Sequence, residues 1–110
     1  MGRVVFTRDA LPAIRPVNHV LMDDRVVIRT HTGAAVLGPA QDGAVVAYEA
    51  DALDPQTRTG WSVVVTGLAR LVEDAARQRR YGARLQPWAA GTHEQMVTIT
   101  LDMVTGYRIA

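Results

Sequence analysis

The sequence predicts a mainly β protein, a small closed antiparallel barrel with one short helix, and three observations carry that expectation. Short runs rich in β-branched residues recur along the chain, turn formers separate them, and a single stretch is composed like a helix. At 110 residues, 48% hydrophobic and 21% charged, the chain fits one compact domain spanning 1–110. Closing its strands into a barrel would hide the edges that an open sheet exposes.

"RVVFTR" (Arg3 to Arg8), "AIRPVNHVL" (Ala13 to Leu21) and "RVVIRT" (Arg25 to Thr30) read as a meander, joined by the turn-like "DALP" and "MDD". "GAVVAYEA" (Gly43 to Ala50) and "WSVVVTGLARLVE" (Trp61 to Glu73) continue it. "DALDPQTRTG" between them is too polar to pack and reads as a surface loop. From Asp74, "DAARQRRYGARL" has an acidic start and good helix formers, so a short helix is expected there despite Gly82. "QPWAAGTHE" ends that helix. "QMVTITLDMV" (Gln95 to Val104) and "GYRIA" return to alternation, with Met96, Thr98 and Thr100 opposing Val97, Ile99 and Leu101. No repeat, linker or low-complexity tract interrupts the series of six or seven strands.

Composition excludes several chemistries. A formal charge of +1 gives no field for nucleic acid or an anionic membrane, so neither is an expected partner. All 12 cationic side chains are arginine, which rules out a lysine Schiff base. Without cysteine there is no disulfide, thiol nucleophile or thiolate ligand, as suits a cytoplasmic protein. Apolar runs fall short of a membrane span, and "MGRVVFTRDA" lacks the pattern of a signal peptide. His19, His31 and His93 are scattered without metal-ligand spacing, so no metal is expected. Ser62 sits within a strand rather than on a nucleophile elbow. Arg77, Arg80 and Arg84 recur at helical spacing and read as the solvated face of a surface helix.

Polar residues inside strands say more. "RPVN" (Arg15, Pro16, Val17, Asn18) places a proline where a ladder would need a donor, which implies an edge, a bulge or a ligand. Trp61 with Ser62, and Trp88 in "QPWAAG", offer aromatic surface either for a planar ligand or for packing a dimer. "VVIRTHTGAAVLGP" (Val26 to Pro39) breaks into small and polar residues around Gly33, either to meet an anionic group or simply to turn.

Taken together, "GRVVFTRDALPAIRPVNHV", "VVIRTHTGAA", "VVAYEADALDPQTRTGWSVVVTGLARLVED", "LQPWAAG" and "VTGYRI" resemble the short actinobacterial members of the pyridoxamine 5′-phosphate oxidase-like split-barrel family over nearly the whole chain. Members usually carry a helix before the first strand, whereas this sequence opens on the strand itself. The resemblance implies a six-stranded antiparallel split barrel that forms a homodimer, with FMN or the deazaflavin coenzyme F420 in a groove between subunits. It implies that Arg15, Pro16, Val17 and Asn18 run beside the flavin ring and that Arg29 and Thr30 meet the ribityl-phosphate region. Ser62 would touch the cofactor, with Trp61 and Trp88 building the groove wall or the dimer contact.

A phosphate-gripping basic element typical of the family is replaced here by Gly33, Ala34 and Ala35, leaving Arg29, the hydroxyls of Thr30 and Thr32 and the backbone near Gly33. One lost charge-assisted hydrogen bond is worth about 1.5–3 kcal/mol, so the departure implies weak flavin binding, a different cofactor or none. The implied activity is hydride transfer between the cofactor and a small-molecule substrate, with no catalytic side chain identifiable. True pyridoxamine-phosphate oxidase activity is not expected, because "GYRIA" lacks the arginine–histidine element that holds the phosphorylated substrate. A non-catalytic module that holds a planar ligand, or a fragment completed by a partner chain, fits the same residues.

Overall fold

In the computed structural model of the protein, residues 1–31, 33–37, 43–85 and 95–110 are described, and they form one curled sheet and two helices. The strands are β1 (Gly2–Arg8), β2 (Leu11–Val17), β3 (His19–Met22), β4 (Arg25–Thr30), β5 (Ala44–Asp54), β6 (Thr59–Leu71), β7 (Gln95–Thr100) and β8 (Met103–Ile109). The helices are α1 (Gly33–Leu37) and α2 (Ala75–Arg84). All strand pairings are antiparallel, in the order β2-β1-β5-β6-β7-β4-β3, with β8 also on β6.

The split-barrel class expected from the sequence is therefore present, with eight strands among the described residues instead of six and two helices instead of one. Two long runs break, which accounts for the extra strands. "AIRPVNHVL" divides at Asn18 into β2 and β3, which lie at opposite ends of the strand order. One continuous segment thus supplies both ends of the sheet, and the sheet curls so that its ends meet at a seam. The second break falls at Leu101 and Asp102, where the chain leaves β7 and becomes β8.

β7 and β8 both pair with β6, β7 at Ala69–Leu71 and β8 at Gly60–Thr66. The handover falls at Gly67, where a Cβ would stand 1.8 Å from Thr100 O. Only a residue without a side chain permits that approach. Leu68 N donates to Thr100 Oγ1 at 2.9 Å in the gap between the two pairings.

Turn chemistry sets the other corners. Asp9–Ala10 and Asp23–Asp24 are two-residue connections in which both residues have positive φ, as hairpins with a right-handed twist require. The stretch read as a polar loop, "DALDPQTRTG", is mostly strand instead. Its tip is held by Asp54, whose Oδ1 accepts from Gln56 N at 2.9 Å and whose O accepts from Arg58 N at 2.8 Å. The bonds from Gln56 N and then Thr57 N hold the Asp54 carboxyl below its ordinary range. Polarity along these strands marks exposure on both faces, not the absence of a strand.

The main core fills the barrel with Val4, Phe6, Val26, Ile28, Val97 and Ile99, and Val36 and Leu37 of α1 plug it. Alternation sends Val27 and Met96 to the outer face, where Tyr81 of α2 and its C-cap Leu85 cover them together with Val72. Helix α2 starts as expected at Asp74, whose side chain accepts from Arg77 N at 2.9 Å. Tyr81 and Arg80 both hold Asp23, tying the helix to the β3–β4 turn, and Tyr81 donates at 2.7 Å. The Tyr81 and Arg80 hydrogen bonds keep the Asp23 carboxyl below its usual range.

Candidate functional site

The seam between β2 and β3 is spanned by one side chain from the opposite wall. Tyr48 of β5, 2% exposed, places its hydroxyl 2.6 Å from His19 Nδ1 and 3.4 Å from Val17 O. The two rings meet edge to face, with centroids 5.0 Å apart at 72°. Burial and then the nearby N-terminal ammonium push the His19 imidazole below its ordinary value, so the ring is neutral near pH 7. Burial, with the charge of Glu49 added, holds the Tyr48 phenol well above its ordinary value. Both groups are thus neutral, and the short contact is a hydrogen bond carried by one proton.

Beside this pair opens a cavity of about 250 Å³ whose walls are otherwise apolar, with Val26, Ala50, Val63, Val65 and Leu101 among them. Such a slot suits a flat, mostly apolar group with a single polar edge. Val65 and Val63 lie on one face of β6, and Trp61, 46% exposed, continues that face beyond Val63. The cavity therefore opens toward an exposed tryptophan.

The residues expected at a site divide between several places. Val17 is buried at the seam and Asn18 occupies the break itself. Arg15 and Pro16 are exposed on β2, an edge strand in the ladder, which is where proline is tolerated. Arg15 donates to Ile14 O at 2.9 Å. Thr30 is buried at 5% exposure, and Arg29, its neighbour in the strand, points to the opposite face. There Arg29 Nε donates to Leu85 O at 2.9 Å and its Nη2 lies 3.9 Å from Met96 Sδ. A guanidinium on the C-terminal carbonyl of α2 complements the helix dipole.

Ser62 is turned away from the cavity, because consecutive strand residues face opposite sides. It stands across from Asp51 and Tyr107 on the reverse face. Asp51 and Glu49 share Arg3 there, at 3.5 Å and 3.1 Å. Partial burial and the hydrogen bond and charge of Asp51 raise the Glu49 carboxyl, against the pull of Arg3. Gly33 begins α1, and Ala35, half-buried in that helix, packs against the core. The stretch after Thr30 thus answers as a short helical plug. Thr32 and Trp88 lie outside the described residues.

His19 and Tyr48 were not marked by spacing. Tyr48 occupies a core-facing phase in "VVAYEA", and a buried phenol needs a polar partner, which is the one signal the sequence held. The partner is supplied by the seam, which no local pattern reveals.

The sequence pattern of the pyridoxamine 5′-phosphate oxidase family matches residues 1–108. A Mycobacterium tuberculosis protein, uncharacterized protein Rv0080, is 56% identical over 112 residues, covering 98% of this chain and 74% of its own length. Among solved structures, the FAD binding protein from Mycobacterium smegmatis is 36% identical, with a TM-score of 0.78 over 98% of this chain and 84% of that one. A conserved protein of unknown function from Corynebacterium diphtheriae, DIP1874, is 32% identical with a TM-score of 0.74, covering 98% of this chain and 83% of that one. With its seam, its ladder order and this match along almost its entire length, the chain belongs to the pyridoxamine 5′-phosphate oxidase-like split-barrel family.

Proposed function

We propose that the protein is a flavin-dependent oxidoreductase that works as a homodimer and holds the flavin ring at the cavity beside His19 and Tyr48. The observation that carries this reading is the slot itself, apolar along its walls and polar only at the His19–Tyr48 edge. The 36% identical Mycobacterium smegmatis protein binds FAD, which makes FAD the first flavin to test, with FMN and F420 beside it. A flavin, when bound, supplies hydride and electron transfer to a small-molecule substrate. The chain's own part is to exclude water with Val26, Val63 and Val65 and to offer one hydrogen-bonding edge through neutral His19 and Tyr48.

A second copy of the chain is the proposed cover for the open side. All of β8 is exposed, and on the cavity side Leu21 is 62% and Val104 55% exposed at the mouth of the slot. Trp61 and Val104, exposed on the cavity face, would be sealed together with the slot. Sedimentation of the wild type is expected to show a dimer at micromolar concentration, and Val104→Asp, at the mouth of the slot, to shift it toward monomer.

A specific observation favours a second reading. Arg29 is already committed to the end of α2, and no basic residue stands in the last turn of α1. A weakly held phosphate suits a non-catalytic holder of a planar ligand. One titration separates the readings: FAD, FMN and F420 are added in turn while the absorbance and fluorescence of the cofactor are followed, and the complex is then reduced and exposed to acceptors. Binding with turnover supports the oxidoreductase, binding without turnover supports the holder, and no binding of any of the three overturns both.

A further inference from the structure

We infer that the outer face of the sheet carries a second, separate site, for a small tetrahedral oxyanion such as the phosphoryl group of a phosphate ester. It is a concavity of about 550 Å³ whose polar lining is Arg25, Arg70, Arg77, Thr98, Thr100 and the carboxylate of Glu73.

Strand register builds it. Thr98 and Thr100 lie on the same face of β7, the strand between β4 and β6. Arg70 of β6 stands directly across from Thr98, and Arg25 of β4 directly across from Thr100. Two strand spacings, about 9.5 Å, separate the backbones that carry these arginines, room for an oxyanion between two long side chains. From α2, Arg77 adds a third guanidinium. Donors thus approach from two sides of β7 and from the helix, which suits a group that presents oxygens in several directions better than it suits a planar carboxylate.

Two further observations point to a ligand. Thr98 is 3% exposed, yet its hydroxyl has no hydrogen-bond partner among the described residues, although buried polar groups are almost always paired. It lines the concavity, where a bound oxyanion would accept its hydrogen bond. Arg70 likewise has no ion pair among the described residues, whereas Arg25 Nη1 donates to Asp23 O at 3.2 Å and Arg77 is held by Asp74. Two guanidinium groups are therefore positioned and one is available.

The charge count limits the strength. Asp74 offsets Arg77 and the lining Glu73 opposes part of the remaining charge, so attraction rests on what Arg25 and Arg70 leave over together with the hydroxyl, and the affinity for a bare ion falls in the millimolar range. The site is independent of the flavin reading. Arg25 and Val26 are consecutive in β4 and face opposite sides, so the sheet itself lies between this concavity and the one beside Tyr48.

Titration with inorganic phosphate at fixed ionic strength, followed through the arginine side-chain Nε–H resonances, tests the inference. Saturable shifts are expected at Arg25, Arg70 and Arg77. Arg70→Gln, at an exposed position, should weaken binding about tenfold, and Thr98→Val, which keeps the shape and removes the hydroxyl, at least about threefold. Shifts that rise linearly without saturating, saturation centred on Arg29 instead, or an affinity unchanged in Arg70→Gln would each overturn it.

Discussion

The Tyr48 hydroxyl lies 2.6 Å from His19 Nδ1 and 3.4 Å from Val17 O, and so joins the last residue of one end of the sheet to the first residue of the other. Both contacts fall at the Asn18 break, where the chain passes from one terminal strand of the sheet to the other. Tyr48→Phe leaves the ring in the core and removes the bridge. A loss of about 1–3 kcal/mol is expected, because His19 and the Val17 carbonyl lose a partner in a buried setting. Urea unfolding of the two proteins measures it, and an unchanged midpoint would show that water serves these groups equally well.

Protonation of His19 gives that bridge a pH dependence. Its folded value lies below the ordinary 6.5, so the unfolded chain takes up the proton first as pH falls. The contribution of His19 to stability is present above about pH 6.5 and is lost as the pH drops through the lowered folded value. His19→Gln keeps a hydrogen-bonding group and removes the titration. The difference in stability between wild type and variant should shrink from pH 7.5 to pH 5; a constant difference would assign the pH dependence to other groups.

Ala10 holds φ at +63°, in the second position of the β1–β2 turn. A left-handed conformation costs an alanine about 1–2 kcal/mol, and glycine gives back part of that through the entropy of the unfolded chain. Ala10→Gly is therefore expected to stabilise by about 0.5–1 kcal/mol. A fall in melting temperature on this substitution would mean that the Ala10 methyl makes a contact worth more than the strain.

Two glycines make opposite predictions for the same change. At Gly67 an added methyl meets the carbonyl of Thr100, which cannot move without breaking the β6–β7 handover, so Gly67→Ala should cost about 3 kcal/mol or more. At Gly82 the methyl meets only Arg29 Nη2, at 3.2 Å, the far end of a flexible side chain. Gly82→Ala gains about 1 kcal/mol of helix propensity and disturbs one guanidinium, so its net effect should lie within about 0.5 kcal/mol of zero. Thermal unfolding of both variants checks the pair, and similar losses in both would remove the argument.

Much of the fold was legible in local pattern. The runs around Val4, Val26 and Ile99 alternate as half-buried strands must, Asp74 announces α2, and the Asp-rich dipeptides mark hairpins because aspartate tolerates positive φ. The family resemblance rested on the combination of runs, among them "RTGWSVVVTG", whose last residue, Gly67, the structure shows under steric demand. The stretch after Thr30 was not legible as a helix: five residues are too few to show a helical period, and packing of Val36 and Leu37 into the core holds them as one. Nor did the polar run from Asp51 to Gly60 read as strand, because alternation fails where both faces of a hairpin meet solvent.

The candidate sites lay furthest from local sequence. Alternation determined that Trp61 and Ser62 face opposite ways, and likewise Arg29 and Thr30, but not which of each pair meets the cavity. Tertiary structure decided that, by pairing β6 with β5 on one side and β8 on the other and by laying α2 over the Arg29 side. It also decided that His19 and Tyr48, 29 residues apart, would share a hydrogen bond, and that Arg25, Arg70 and Thr98 would line one concavity. Pattern within a strand sets which residues share a face, whereas register between distant strands sets which faces become neighbours, and register is fixed only when the whole sheet closes.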